Sequence, residues 1–495
     1  MDLIAVLVAI PLLFAFLTAL TIPVRMKKYA KYPFLAGSLL PWLAYLLTGS
    51  GSEVVGGWPK IGGIEVALDA YNSLLVLGEL ILFSAVSLYS INYFKKEVKA
   101  LVLLLLVHAG LLGAFISRDL FNLYIFMEIA SVSSFALVGF SGERRATRAA
   151  YKYLMLSLLA SYFFVFSIGV IYLKTGYLNL ELISQASPAA EIRAAVAVAF
   201  TSLLLKAGIF PLHTWLPDAH ANAPSPVSAL LSGAVVKAPA YGMLLLSLYL
   251  PLPENLKTTF LVLAFSSMFF GVVMMLLERD IKRFLAYSTV SQMGYVLLGI
   301  ATLNPQGVVY YAFAHMLFKG GLFLSAGAMV DKARTRELEK LSYRGDPLLM
   351  TSVLMLSLAI GGIWPFVGSP AKAALLKALP HGRELFYLAG LGTLASFTKL
   401  NYHLMRGGGE RSGALALPSS MMALAALLAG VSLGGSPKVM DAYLLAGGVL
   451  LFLLLKTSGV FRLKLQKEEI VPEEVNTGAA LFALFLLLLL HLSQG

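Results

Sequence analysis

Six ionisable side chains in this sequence stand inside apolar runs. They are Glu128 in NLYIFMEIASVSS, Lys206 in SLLLKAGIFPLHTWLP, Lys237 in LSGAVVKAPAYG, His315 and Lys319 in YAFAHMLFKGG, and Lys372 in PFVGSPAKAALLKAL. A charge near the centre of a bilayer costs at least about 2.5–3.5 kcal/mol, so such a group is kept for a use and faces protein or water. His315 and Lys319 are four residues apart and share one helix face. That spacing suits a proton relay, because His titrates near neutral pH and a desolvated amine exchanges its proton more readily. A buried Glu beside a Lys stays ionised, and the pair can switch with protonation when the two part.

Other charged residues have plainer readings. A lone intramembrane Lys can form a structural ion pair or snorkel to the interface. Lys377, Lys399 and Lys456 fall nearer span ends, where snorkelling suffices; Lys399 is kept as an alternative exit to Lys372. His108 reads as a lone packing residue on an apolar face. His213, Asp218 and His220 share a loop, but their spacing matches no metal signature, and no metal ligand set is assigned.

The elements that must position these groups are membrane helices. The 495 residues are 59% hydrophobic and only 13% charged, against about 25% charged in a soluble chain. Mean hydropathy is +0.82. There are no cysteines, which excludes disulfides, thiolate metal sites and iron–sulfur clusters ligated by this chain. The net charge of +12 is better explained by basic cytoplasmic loops than by nucleic-acid binding. The Met1–Leu20 stretch has no basic n-region and reads as a first span.

Hydropathy places spans at about 3–22, 33–49, 70–91, 100–117, 119–140, 151–173, 193–212, 225–250, 257–277, 284–303, 308–330, 348–378 (interrupted), 383–405, 414–434, 440–461 and 476–492. Most of the 38 Lys and Arg lie in loops after odd-numbered spans, such as RMKKYAK, ERRATR, RDIKR and RLKLQK. That alternation predicts an N-terminus outside. Several spans look broken. Pro211 and Pro217 follow Lys206, Pro239 follows Lys237, and Pro365, Gly368 and Pro370 precede Lys372. Interrupted helices in corresponding positions of two halves point to inverted repeats with a path at the midplane.

The predicted fold is therefore an all-α polytopic membrane protein of about 14–16 transmembrane helices, with two inverted five-helix repeats. Residues 1–100 hold helices 1–3, 101–250 the first repeat (helices 4–8), 251–405 the second (helices 9–13), and 406–495 the C-terminal helices.

Four stretches, in order along 119–378, closely resemble the antiporter-like proton-translocating subunits of Mrp cation/proton antiporters, respiratory complex I, and membrane-bound hydrogenase and sulfur-reductase complexes. They are DLFNLYIFMEIASVSSFALVGF, KAGIFPLHTWLPDAHANAPSPVSALLSGAVVKAPAYG, RDIKRFLAYSTVSQMGYVLLGI and HMLFKGGLFLSAG. The look is nearest to the Mrp D-type subunit. The resemblance implies a fourteen-helix core with a hydrated mid-membrane axis of Glu128, Lys206, Lys237, His315, Lys319 and Lys372. At the last of these the sequence departs from the family: GGIWPFVGSPAK stands where a Gly-x-Pro-Pro run is usual, which is why Lys399 remains the fallback. The polar piece RLKLQKEEIVPEEVN (462–476) extends only about 22 Å as a helix, too short for a brace across a complex.

The resemblance also implies neighbours: other membrane subunits, including further antiporter-like ones, in the plasma membrane of a prokaryote. The ion is H⁺, with Na⁺ as a second candidate. No catalytic residue and no cofactor-binding site is assigned to this chain. Iron–sulfur clusters, with or without nickel–iron, are expected in partner subunits if the complex is redox-linked. The chain has no nucleotide loop, haem-ligand pattern or nucleophile motif. Two other readings are a free-standing secondary transporter for a small solute or ion, and a membrane anchor without an ion path.

Overall fold

The computed structural model describes residues 3–95, 97–186, 189–250, 252–379, 381–406, 413–462 and 471–494. A helical segment stands at each predicted span. The chain opens with α1 (Leu3–Leu20), α2 (Lys31–Leu47) and α3 (Ser73–Phe94). It continues with α4 (Val98–Ile116), α5 (Leu120–Val138), α6 (Arg144–Thr175), α7 (Leu180–Ala186), α8 (Ala189–Lys206), α9 (Leu216–Asn222), α10 (Ser225–Leu230) and α11 (Lys237–Tyr249). The next group is α12 (Glu254–Leu277), α13 (Ile281–Ala301), α14 (Pro305–Ala333), α15 (Pro347–Gly361), α16 (Gly368–Lys377) and α17 (Arg383–Leu404). The chain ends with α18 (Leu417–Ser432), α19 (Val439–Thr457) and α20 (Val471–Gln494). Among the described residues, 11 helical stretches are each long and apolar enough to cross a bilayer alone, with α10 to α11 counted as one.

The all-α class holds, with one small addition: an antiparallel hairpin of β1 (Gly51–Val54) and β2 (Glu65–Leu68) fills the connection from α2 to α3. The Gly- and Pro-rich VGGWPKIGG turn disfavours helix there. The hairpin is anchored through Glu65, which meets Lys60 at 3.0 Å and Asn179 at 2.7 Å.

The centre of the bundle is α13 and α14, whose apolar windows are 100% and 94% buried. Helices α3, α10, α13, α15, α16 and α18 pack closely around α14, and α11 touches it. Close approach of α12 and α13 needs glycine: a Cβ at Gly294 would stand 2.6 Å from the Ala264 carbonyl oxygen. By contrast α19 and α20 lie at the periphery, with 11% and 17% of their windows buried.

Two features recur in the two halves. Asp119 caps α5 by accepting from Asn122 N and bridges to Asn179; Asp280 caps α13 by accepting from Lys282 N and Arg283 N and bridges to Glu337. The predicted breaks are also present. After α8 the backbone turns at Gly208 (φ +69°), and after α15 at Gly362 (φ +86°). Each break contains a cis X-Pro bond, Phe210–Pro211 and Trp364–Pro365. Of the polar piece at 462–476, residues 463–470 lie outside the described residues, as do Lys96 and Arg411 of the basic loops.

Candidate functional site

Lys206 ends α8, and the break that follows leaves its amine facing α5 and α6 rather than another turn of helix. Its Nζ donates to Glu128 Oε1 at 2.8 Å and to Ser157 Oγ at 3.2 Å. Glu128 accepts a further hydrogen bond from Ser161 Oγ at 2.7 Å. The Lys206 side chain is 5% exposed and that of Glu128 18%. Glu128 thus sits at the rim, on an α5 stripe with the exposed Phe121, Ile125 and Val132. A cavity of about 10 Å³ beside Lys206, lined by Ser131, Tyr153, Trp215, Ala238 and Pro239, is the size of about one water. It links Lys206 to the residues beside Lys237.

Lys237 begins α11 directly after a π turn at Leu231–Val235. A π turn carries one residue too many for the regular ladder. The Ser232 carbonyl in that turn accepts from Lys237 Nζ. Ser232 Oγ shares a 2.7 Å hydrogen bond with Thr289 Oγ1, joining this turn to α13. Lys319 Nζ donates to the Leu285 carbonyl and to Ser288 Oγ, also on α13. The YSTVSQ run of α13 therefore presents one hydroxyl to Lys319 and another to the turn whose carbonyl holds Lys237. His315 lies one turn before Lys319, fully buried, with neither ring nitrogen partnered among the described residues.

Beyond His315 the row continues in residues the sequence reading did not single out. Tyr311, His315 and Lys319 share one face of α14 at four-residue spacing. Tyr311 donates its hydroxyl to Gln292 Oε1. Its ring stacks on Tyr295 with centroids 5.2 Å apart, and Lys372 Nζ lies 5.2 Å from the Tyr295 ring centroid. Lys372 Nζ donates to the Gly361 and Ile360 carbonyls at 2.8 and 3.1 Å, closing the open end of α15. Spacing along α14 was the signal that could have found Tyr311. Gln292 and Tyr295 face the row from another helix and left no such pattern.

Lys399 is placed differently. Its Nζ donates to the carbonyls of Met275 (3.2 Å), Leu276 (2.7 Å) and Glu278 (2.7 Å), the C-terminal end of α12. That is a helix-capping geometry.

Two expectations about histidines are revised. His108 is not a lone packing residue: its Nδ1 lies 2.9 Å from Glu79 Oε1, and both side chains are wholly buried between α3 and α4. Glu79 was overlooked although it, too, sits in an apolar run. Its apolar surroundings are why it needs a partner. His220 leaves the loop cluster. It is fully buried, 5.8 Å from the Phe323 ring and within electrostatic reach of Lys237, Lys319 and His315. Asp218 instead pairs with Lys152 at 2.9 Å and Arg283 at 2.6 Å. Among the described residues no group of three or more His, Cys, Asp or Glu is arranged to hold a metal ion.

Among the described residues, then, Lys206 alone of the four row lysines has a carboxylate at salt-bridge distance. Lys237, Lys319 and Lys372 rest on carbonyls and hydroxyls. A proton can move between such neutral acceptors without separating a buried ion pair at each step.

This chain is similar to known proteins over most of its length. A family model described as "NADH:quinone oxidoreductase/Mrp antiporter, TM" matches residues 117–398. The N subunit of the NADH-quinone oxidoreductase of Desulforudis audaxviator is 32% identical over 366 residues, covering 70% of this chain and 71% of that protein. The D-type subunit of the Na(+)/H(+) antiporter of Alkalihalophilus pseudofirmus is 29% identical, covering 70% and 74%. A chain of the membrane-bound sulfane sulfur reductase, an archaeal respiratory membrane complex, superposes with a TM-score of 0.80 at 24% identity, covering 96% of this chain and 99% of that one.

Proposed function

Because this chain belongs to the NADH:quinone oxidoreductase/Mrp antiporter family, we propose that it is a proton- or sodium/proton-translocating subunit of a multisubunit membrane complex. The observation that carries this reading is the row from Glu128, part-buried at the rim, through the buried Lys206, Lys237, Lys319 and His315 to Lys372, whose lysines other than Lys206 have no carboxylate at salt-bridge distance among the described residues. Tyr311, Gln292 and Tyr295 bridge the gap between His315 and Lys372. The recurring Asp caps and helix breaks support two inverted repeats, at 101–250 and 251–405.

Glu128 and Lys206 form the switch. While they touch, the carboxylate holds the ammonium in its charged form. When a neighbouring subunit changes the field at the exposed edge of Glu128, the pair parts. Lys206 then loses its counter-charge and passes its proton inward. Lys372 is the loading or exit site at the far end. The carbonyl and hydroxyl oxygens along the row already accept from ammonium groups, whose charge repels Na⁺, so H⁺ is the ion of this row. Na⁺ travels elsewhere in the complex if it is carried. The complex sits in a prokaryotic plasma membrane with the N-terminus of this chain outside. Any iron–sulfur or nickel–iron centres belong to partner subunits.

Purification of the native complex in mild detergent, with partner identification and metal analysis, tests this assignment. Iron-containing partners make the chain part of a pump driven by electron transfer. Small membrane partners without metal make it part of an Mrp-type antiporter. A chain that emerges alone and transports by itself refutes the proposed membership of a complex.

A further inference from the structure

The turn between α1 and α2 reads PVRMKKYAKY (23–32) and holds Arg25, Lys27, Lys28 and Lys31. Residues 23–29 are exposed without a break, and Lys31 and Tyr32 are exposed beyond them. The turn is ordered by its own main chain. Met26 N donates to the Thr21 carbonyl at 2.9 Å, Arg25 takes the left-handed conformation (φ +58°), and Lys27–Tyr29 form one turn of 3₁₀ helix. The connection from α3 to α4 lies at the same end of the bundle and adds Lys95 and Lys99, both exposed. Against these six cations the two connections carry one carboxylate, Glu97. Among the described residues none of the six stands within salt-bridge distance of a carboxylate, so the protein leaves their charge unmatched.

Apolar and aromatic side chains are interleaved with the cations. Val24, Met26, Tyr29 and Tyr32 are all exposed. The Tyr29 and Tyr32 rings stack with centroids 6.3 Å apart. Lys28 Nζ lies 4.8 Å from the first centroid and Lys31 Nζ 5.1 Å from the second. Such a mixture suits neither bulk water nor hydrocarbon. It suits the layer between them, where tyrosine rings and long basic side chains both find their partners.

Helix length puts the turn in that layer. α1 has 18 residues and α2 has 17. At 1.5 Å per residue they are about 27 and 26 Å long, against about 30 Å of hydrocarbon. The turn is therefore drawn to the level of the lipid phosphates instead of standing clear of them. Below it the helices turn exposed apolar side chains outward, Phe16 and Leu20 on α1 and Leu39 and Leu40 on α2.

We propose that the α1–α2 turn, with Lys95 and Lys99 at the same end, binds the phosphodiester headgroup of an anionic phospholipid that carries no amine of its own. The lipid supplies the negative charge that the protein omits, and its acyl chains lie along the outward faces of α1 and α2. An acidic loop of a soluble partner would match the cations, but it would leave those apolar faces uncovered. The polar row plays no part in this argument, so the site stands whether or not that row carries protons.

The chain has no cysteine, so Met26→Cys gives it a single thiol on an exposed side chain. The whole complex, with a benzophenone maleimide on that thiol, is reconstituted in vesicles of equal parts phosphatidylglycerol and phosphatidylcholine and irradiated. The complex with the unaltered chain is treated in parallel. Peptides that contain position 26 are expected to carry phosphatidylglycerol over phosphatidylcholine at least about fivefold. Equal attachment of the two lipids overturns the proposal, as does attachment to a neighbouring subunit in place of lipid. Replacing Arg25, Lys27, Lys28 and Lys31 by Gln in the same labelled chain is expected to bring the ratio close to one. A ratio that survives those four replacements takes their side chains out of the site.

Discussion

Lys206 and Lys372 stand at opposite ends of the polar row and are held in opposite ways. Lys206 faces a carboxylate at 2.8 Å, whereas Lys372 fills the end of α15 through two main-chain carbonyls at 2.8 and 3.1 Å. One end can be switched by moving a charge, the other only by moving a helix end.

Glu128→Gln tests the switch most cleanly. The amide oxygen can still accept from Lys206 and Ser161, so the fold is retained, but the counter-charge is lost. Transport by the complex is expected to fall at least about tenfold with unchanged assembly. Lys206→Ala is expected to be equally inactive but less stable, because a buried pair broken on one side costs about 3–5 kcal/mol. Normal transport in both would remove Glu128 and Lys206 from the mechanism.

Tyr311→Phe and Tyr295→Phe separate bridging from packing. The first leaves the buried Gln292 side chain without its hydroxyl donor and should cost about 1–3 kcal/mol of stability. The second removes a hydroxyl whose nearest polar neighbour, Thr393, is not in good hydrogen-bonding geometry, so its stability cost should be smaller. Both are expected to slow transport. Thermal melting and ion flux measured side by side decide the matter; full transport in both takes the tyrosines out of the row.

Lys372 and Lys399 should diverge. Lys399 ties three carbonyls at the end of α12. Lys399→Ala is expected to lower the melting temperature by the loss of a cap worth about 1–2 kcal/mol and to leave transport intact. Lys372→Ala is expected to stop transport. The opposite pattern would make Lys399 the exit.

The Glu79–His108 pair is buried between α3 and α4 and makes no hydrogen bond to a residue of the row among the described residues. Glu79→Ala is expected to destabilise the chain by about 3–5 kcal/mol. Replacing both residues by apolar ones of similar size should recover most of that. Transport in the double variant is expected to be near normal. A loss confined to transport would bring the pair into the ion path.

Much of this was legible because a membrane punishes exceptions. Lys206, Lys237, His315, Lys319 and Lys372 stood out as ionisable residues in apolar runs, and all five are buried. Each broken helix was marked by its own Pro and Gly residues. What the sequence hid was partnership across helices. Nothing local ties His108 to Glu79, 29 residues away, or moves His220 from its loop into the row. The hairpin at 51–68 was missed because its two strands are each 4 residues long, too short for an alternating pattern to emerge.

The contact between Lys152 and Glu474 joins positions 322 residues apart. During synthesis the sixth helix is therefore in place long before its acidic clasp exists, and Lys152 must wait on Asp218 alone. The order of chain growth thus leaves Lys152 with one of its two carboxylates until α20 arrives. A chain stopped before residue 471 should insert, but leave that lysine half-answered and the protein prone to degradation before it can be assembled.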